Sequence, residues 1–233
     1  MMDGPRVETG RAFELVRQRI ITLALAPGSA VNDQRLATEL ELPLAPVQEA
    51  LKLLAHEHLV RIHPRYGAYV ADVNASDLGQ LSELRVELEG LAAALAARRA
   101  TRDDLEVLDA IGQEQISADD PDPRRLFDRD HRFHVAVAAA ARNDYLAQSL
   151  ERFFGQSLRL WYLVLPQLDF LAGAVQKHVD LTGAIRAGDA EAAEEIMREH
   201  VRDFYGQVRA LLGARDDTGP PRSDRRGKGS GDR

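Results

Sequence analysis

Apolar residues recur at every third or fourth position along most of the chain, and this spacing places them on one face of an α-helix. After residue 58 the helical pattern gives way to two short runs of strand-forming residues. The turn sequence Pro64-Arg65-Tyr66-Gly67 separates these runs and predicts a β-hairpin. Residues 1–10 lack the pattern and predict a loose arm. The predicted elements are helices at 12–25, 33–40 and 46–58, and strands at 59–63 and 68–71.

Three helices followed by a hairpin are typical of a winged helix-turn-helix domain, which we assign to residues 1–72. In such a domain the second helix of the helix-turn-helix pair lies in the DNA major groove. The hairpin, or wing, reaches the DNA backbone or the minor groove. A small α+β subdomain used for protein contacts has the same order of elements, so the pattern alone leaves both interpretations open.

The remainder of the chain has only the helical pattern, from Ser76 or Asp77 onward. It predicts an all-α antiparallel helical bundle over residues 73–213. Residues 214–233 are rich in Gly, Pro, Arg and Asp and predict a disordered tail. The fold class is therefore mainly α, with a small β-hairpin wing in the N-terminal domain. The predicted helices of the bundle are 78–99, 103–116, 124–141, 145–165 and a helical hairpin over 171–212, with a loop at 117–123 and a helix end before Pro166.

Composition limits which partners and sites are possible. The formal charge is −7, so attraction to nucleic acid is not a property of the whole chain. Residues 1–72 contain eight Lys or Arg and nine Asp or Glu, a net charge of 8 − 9 = −1, so DNA binding must depend on a local surface. The absence of cysteine excludes disulfides and thiolate metal ligands. No apolar run is long enough to span a bilayer and no signal peptide begins the chain, so we expect a cytoplasmic protein without a membrane partner.

Two polar side chains interrupt an apolar helical face in the second half of the chain. Asp130 and His134 are four residues apart, which on a helix leaves them about 40° apart on the same face as Phe133 and Val137. Both side chains can bind a metal ion. The spacing therefore predicts a pair of metal ligands that points toward the core.

Two later histidines have a matching position. The sequence Ala187-Gly188-Asp189 suits the end of one helix and the cap of the next, which predicts an antiparallel hairpin. His178 and His200 both lie roughly 15–16 Å from this turn at ~1.5 Å per residue, so the hairpin brings them level with each other.

One carboxylate and three imidazoles then suit a divalent ion such as Zn, Ni or Mn. The alternative is that each histidine is a hydrogen-bonded core residue.

With these residues in view, the chain resembles GntR-type transcription regulators of the FadR-like branch, whose C-terminal effector domain is called FCD. The resemblance covers about residues 11–212, and all four ligand positions of the metal-binding members are occupied here. It depends on the following motifs: Leu25-Ala26-Pro27-Gly28, Asp33-Gln34-Arg35-Leu36-Ala37, Pro46-Val47-Gln48-Glu49-Ala50-Leu51, Pro64 to Val70, Leu84-Arg85 through Glu89, Asp130 to His134, Arg142-Asn143 and the hairpin with His178 and His200.

The resemblance implies a ligand-responsive regulator that binds a near-palindromic operator in double-stranded DNA as a homodimer. Its helical domain would bind a metal and a small organic acid. Arg85 lies within a predicted inward stripe of leucines and would hold the effector carboxylate, or else pair with Glu89 four residues on. Asn143 follows a helix and would contact the effector, or else only cap the next helix.

The recognition helix departs from the family pattern. The family usually has Ser-Arg-Thr before its proline and an Arg after it, whereas this chain has Pro43-Leu44-Ala45 and Gln48. Two arginines that would reach phosphate or guanine are therefore missing. The remaining candidates for DNA contact are Arg35, Gln48, Lys52, Arg65 and Gly67, of which Gln48 can pair with adenine.

Two other functions use the same metal ligands. A helical metal-dependent hydrolase would activate water at the site, but it leaves the winged-helix half unexplained. A metal sensor would respond to the ion itself and need no organic acid.

Overall fold

The computed structural model describes residues 4–116, 123–164 and 171–217. The N-terminal part is a small domain of three helices and a three-stranded antiparallel sheet, and the C-terminal part is a bundle of helices. The elements of the first domain are α1 (Gly4–Ile21), β1 (Ala30–Val31), α2 (Asp33–Leu40), α3 (Leu44–His56), β2 (Val60–His63) and β3 (Gly67–Val70).

The N-terminal domain is a winged helix-turn-helix. Its α2 begins where Asn32 accepts a hydrogen bond from the backbone N–H of Arg35, and it ends at Glu41, which adopts a left-handed conformation with φ 53°. The helices pack around fully buried residues such as Val16 and Leu54. In the sheet, β3 lies between β1 and β2, and the β2–β3 hairpin forms the wing.

Three details of this domain differ from the sequence prediction. Helix α1 begins at Gly4 and ends at Ile21, so residues 4–10 are helical rather than a loose arm. Helix α3 begins at Leu44, which places Pro46 within the first turn, where no backbone N–H is needed for an intrahelical bond. The short strand β1 was not predicted, because two residues are too few for a period-2 pattern.

The C-terminal domain is the predicted antiparallel bundle. Helix α4 packs along α9 through the middle of the domain, and its inward face is made of small residues such as Ala93 and Ala96 that allow a close approach. The helices are α4 (Ala75–Arg99), α5 (Arg102–Ile116), α6 (Pro123–Ala140), α7 (Asp144–Val164), α8 (Leu171–Ala187) and α9 (Ala190–Asp217).

The predicted leucine stripe of α4 is not uniformly inward. Arg85 is buried, as the pattern predicted, but Leu84 and Leu91 are 38% and 45% exposed. Alanines on the other side of α4 fill the core instead, because they let α9 come closer than leucines would.

The end of the last helix also differs from the sequence prediction. Helix α9 continues to Asp217, past the predicted end at Leu212, so residues 214–217 are helical and not part of a disordered tail. The rest of that predicted tail, most of the loop predicted at 117–123 and the helix end predicted before Pro166 lie outside the described residues. Among the described helices, none has both the length and the apolar character needed to cross a membrane.

The two domains meet along α7. Arg17 of α1 contacts the side chain and the backbone carbonyl of Glu151, each at 3.0 Å. The side chain of Gln156 donates to the carbonyl of Glu57 at 2.9 Å. Gly155 of α7 leaves room for the Arg17 side chain, since a Cβ there would lie 2.7 Å from the Arg17 guanidinium. Side-chain hydrogen bonds to backbone carbonyls therefore join the bundle to α1 and to the end of α3.

Candidate metal and effector site

The four predicted metal ligands meet in the core of the bundle. Asp130 and His134 lie one turn apart on α6, His178 lies on α8, and His200 lies on α9. All four side chains are buried, and one potential ligand atom from each lies within 4.8 Å of the others. The turn that aligns the two later histidines is the predicted one, with Gly188 at φ 72° and Asp189 capping α9 through the N–H of Ala192.

Three imidazole nitrogens face the Asp130 carboxylate and one another. The Nε2 atom of His200 lies 3.2 Å from that of His134 and 3.3 Å from that of His178. The carboxylate oxygens of Asp130 lie 3.4, 3.7 and 3.9 Å from the Nε2 atoms of His178, His134 and His200, respectively. Neighbouring ligands of a tetrahedral ion bound at 2.0–2.1 Å are about 3.3 Å apart, so the arrangement has the dimensions of a divalent metal site.

The outer hydrogen bonds of two histidines direct their Nε2 lone pairs inward. The Nδ1 atom of His134 is bonded to Glu89, and that of His178 lies 3.0 Å from the amide oxygen of Gln115. Both partners are acceptors, so each imidazole in its neutral form carries its proton on Nδ1 and leaves Nε2 free to bind a cation. Against the effect of burial, Glu89 and Asp130 raise the pKa of His134, so a bound cation would have to displace a proton from this residue more often than from the other two histidines. This donor set could hold a metal ion.

The electrostatics of the cluster keep two of its histidines neutral. Burial lowers the pKa of His178 well below its usual range, and the neighbouring His200 and His134 lower it further. Burial, with the charge of His134, also lowers the pKa of His200 to about 3. Neutral imidazoles are the form that binds metal. Burial raises the pKa of Asp130, and a cation in the cluster would lower it.

Arg85 belongs to a second layer around the cluster. Its Nε donates to Glu89 at 2.7 Å, and its guanidinium lies 4.3 Å from the ring centre of Phe154 and contacts the hydroxyl of Tyr205. Burial opposes ionisation of Glu89, but the charges of Arg85 and His134 outweigh it and lower its pKa to about 2. Arg85 is thus linked to the predicted metal ligand His134 through Glu89, which is the pairing that the sequence offered as an alternative to an effector contact.

Two cavities adjoin the cluster. A small space of about 10 Å³ lies among Arg85, His200, Trp161 and Tyr205, and the buried Trp161 Nε1–H has no hydrogen-bond partner within the described part of the chain. A larger space of about 870 Å³ lies between α6, α7 and the N-terminal domain, and His134 and Glu89 form part of its wall. A small molecule could therefore approach the cluster from the domain interface.

Asn143 has a local role in the structure. Its side chain accepts a hydrogen bond from the N–H of Leu146 at 3.2 Å, so it caps the start of α7. Neither cavity described above is lined by Asn143. His131, which the sequence placed in solvent, is instead half-buried, where it stacks on Phe154 and lies 3.0 Å from Glu151.

The candidate DNA contacts lie on the exposed surface of the N-terminal domain, and three of them contact a charged neighbour. On α2, Arg35 pairs with Glu39 at 2.7 Å. On α3, Gln48 donates to Asp33 at 2.6 Å and Lys52 pairs with Glu49 at 2.9 Å. At the wing turn, Arg65 and Gly67 have φ of 74° and 89°, the left-handed conformation that this tight turn requires.

Sequence reasoning missed part of the site. Glu89 entered only as a partner for Arg85, although its carboxylate also binds His134. Gln115, Trp161 and Tyr205 were not identified, because residues on different helices have no sequence spacing that relates them. For Glu89 the signal was present, since a buried carboxylate on an inward helical face needs a cationic or hydrogen-bonding partner.

Comparison with known proteins identifies both domains. Residues 8–70 match the model of bacterial regulatory proteins of the gntR family, and residues 80–203 match the FCD domain. The chain belongs to the GntR family. Its FCD domain places it with the FadR-like branch, so it is a DNA-binding transcription regulator with an effector domain. Its relatives are transcription regulators rather than enzymes, which favours the regulator over the hydrolase interpretation.

The relatives cover most of the chain at low identity. It is 22% identical over 200 residues to the HTH-type transcriptional repressor RspR of Escherichia coli, with 85% of this chain and 88% of RspR covered. It is 28% identical over 198 residues to the E. coli repressor GlaR, with 81% and 90% covered. The structure of E. coli McbR/YncC is similar to this one with a TM-score of 0.76 at 21% identity. The match covers 88% of this chain and 98% of the McbR/YncC chain, which supports the fold.

Proposed function

We propose that this GntR-family regulator binds a divalent metal through Asp130, His134, His178 and His200, and that a small carboxylate effector binds beside the ion. The protein would act in the cytoplasm as a homodimer on a two-fold-related operator. The observation that carries the proposal is the convergence of three Nε2 atoms and one carboxylate from three helices in the buried core.

The charge of the loaded site favours an anionic effector. A divalent ion with three neutral imidazoles and the Asp130 carboxylate has a net charge of about +1. Arg85 and Glu89 add one positive and one negative charge, so the balance is unchanged. Four protein ligands on a five- or six-coordinate ion leave room for an effector oxygen, and Zn, Ni and Mn all accept such nitrogen and oxygen ligands. Arg85 is the candidate that binds the effector carboxylate. It would give up part of its hydrogen bonding to Glu89 and donate to the effector instead.

The Trp161 Nε1–H gives the effector a second contact. It is a buried donor without a partner among the described residues, and it lies beside the cavity that Arg85 and His200 share. A buried N–H without an acceptor is unfavourable, so an effector oxygen placed there would gain a hydrogen bond. The larger space next to His134 supplies the route from solvent.

The N-terminal domain supports DNA binding through two local surfaces. The exposed face of α3 presents Gln48 and Lys52, and the wing presents Arg65. Lys52 pairs with the exposed Glu49, and Arg65 has no salt bridge among the described residues; exposed pairs contribute little and can exchange for phosphate. Because Leu44 and Gln48 replace the arginines usual in the family, we expect a modest affinity with adenine preferred at one position.

A second copy of the chain would pack on α4. Leu84, Leu88, Leu91 and Leu95 follow a single stripe, and Leu84 and Leu91 are exposed. An exposed apolar stripe on a helix is typical of a protein interface, and a two-fold operator needs two copies. Sedimentation should therefore give a dimer for the wild type and a monomer for Leu91→Glu, whereas Val107→Glu on α5, a matched exposed control, should remain dimeric.

Signals from the site can reach the DNA-binding domain through α7. His131, next to the metal ligand Asp130, contacts Glu151, and Glu151 contacts Arg17 of α1. An effector that shifts α6 would change these contacts and so favour one placement of the N-terminal domain over another.

Binding of the chain to its own promoter DNA, measured by fluorescence anisotropy, tests the proposal. We expect salt-dependent binding that changes when a hydroxy acid or dicarboxylate is added to the metal-loaded protein. Chelation should abolish that change. A response to the metal alone, with no organic acid effective, would make the protein a metal sensor. Absence of binding at low salt would contradict the proposed DNA contacts.

A further inference from the structure

A buried arginine lies at the junction of the two domains. Arg159 of α7 is 3% exposed, and its guanidinium donates a hydrogen bond to the backbone carbonyl of Ala71. Ala71 directly follows the wing strand β3 and begins the link to α4. Arg159 therefore holds the C-terminal domain against the point where the chain leaves the N-terminal domain.

The charge of Arg159 lacks a direct counter-ion. Its Nε is buried without a hydrogen-bond partner, and no carboxylate of the described residues forms a salt bridge with it. Asp72, the nearest in sequence to the carbonyl it binds, pairs with Arg61 at 2.8 Å. Burial lowers the pKa of Arg159 to about 10, and the more distant Asp72 and Asp77 oppose this only in part. A buried cation in this state is unfavourable unless an anion accompanies it.

A cavity adjoins this guanidinium. It has a volume of about 470 Å³ and lies between the ends of the wing strands, the link to α4 and α7. It is separate from the metal cluster, because none of the four ligands lines it. Besides Arg159, its wall contains the amide side chains of Gln80 and Gln156 and the ring of Phe153. The space is large enough for a small organic ion together with water.

We propose that this cavity binds a small monocarboxylate, whose oxygens accept from Arg159 while its apolar part faces Phe153. A carboxylate matches the planar donor arrangement of a guanidinium. A single negative charge suits the site better than two, because Arg61 in the wall is already paired with Asp72, and Asp77 also lies there and repels a dianion. The ligand binds residues of both domains, so it stabilises one placement of the wing domain on the bundle. This site goes beyond the metal and effector site and does not depend on it.

NMR of the arginine Nε–H groups in the full-length, nitrogen-15-labelled protein tests this inference. The signal of Arg159 is assigned by its loss in Arg159→Lys. Acetate is titrated at constant ionic strength, with chloride as the replaced anion. We expect a saturable shift of this one signal and a rise in melting temperature with the same concentration dependence. If the signal shifts only linearly, or not at all, the site does not bind a carboxylate.

Matched variants locate the response. In chelated protein, where the metal and effector site cannot contribute, Arg159→Gln should lose the acetate-dependent rise in melting temperature. Arg152→Gln should retain it, because Arg152 also joins α7 to a backbone carbonyl of the N-terminal domain but does not line this cavity. His178→Ala should retain it as well, which separates this site from the metal site. If Arg159→Gln keeps the full response, or if phosphate binds more tightly than acetate, the proposal is wrong. Should Arg159→Gln fail to fold, the wild-type NMR titration decides alone.

Discussion

The metal site makes the sharpest prediction, and His178→Ala is the change that tests it. His178 is 1% exposed, stacks on Phe133 at 3.9 Å between ring centres and is held by Gln115. Its loss removes one of four ligands and also leaves a small space and an unpaired amide. The stability of the variant alone therefore mixes two effects. The difference in melting temperature between metal-loaded and chelated protein isolates the metal contribution.

The expected size of this difference follows from mass action. A ligand that binds only the folded state at a hundredfold excess over its Kd contributes about 2.7 kcal/mol. For a domain of this size 1 kcal/mol shifts the melting temperature by about 2–4 °C, so chelation should lower that of the wild type by about 5–11 °C. In His178→Ala and His200→Ala the difference should shrink toward zero.

Elemental analysis beside differential scanning fluorimetry measures both quantities. His131→Ala is the matched control, because His131 lies next to Asp130 but points to Glu151, and this variant should keep its metal. Stoichiometric metal in both His178→Ala and His200→Ala, or none in the wild type under any purification, would refute the reasoning from the hairpin.

Three further predictions concern DNA, the effector and pH. Arg65→Ala should weaken binding to all sequences and lower the salt slope by about one unit, whereas Gln48→Ala should change preference at one base pair; anisotropy over a salt series on operator variants distinguishes them. Arg85→Met should abolish the rise in melting temperature caused by dicarboxylates, which the Arg159 cavity repels, while the metal stays bound; a full response in a destabilised variant would restrict Arg85 to its pair with Glu89. In chelated protein burial lowers the pKa of His200 to about 3, so between that value and about 6.5 the unfolded chain binds more protons than the folded one. Stability therefore falls as pH falls, and at pH 5.5 His200 accounts for a loss of roughly 1 kcal/mol. Urea unfolding of His200→Gln at pH 7.5 and 5.5 should lack that loss, and an unchanged pH dependence would contradict it.

The sequence alone determined the order of the helices and of the wing hairpin, and it predicted which four side chains meet in the core of the bundle. Local chemistry carried this information: helical periodicity, the turn at Gly188 and the i,i+4 spacing of Asp130 and His134 are all relations between near neighbours in the chain. The two later histidines could be aligned because a hairpin converts distance from a turn into position in space. Element ends and the short strand β1 were missed, because a few residues hold too little periodic signal.

Only the tertiary structure decided what surrounds those ligands. Glu89 and Gln115 orient the imidazoles from other helices, Trp161 lines a cavity with Arg85, and Arg159 lies buried beside the link between domains. None of these neighbours is near its partner in sequence. Whether a polar side chain is buried, and what it meets there, depends on how helices pack, and packing is set by the shape of all their faces together rather than by any one segment.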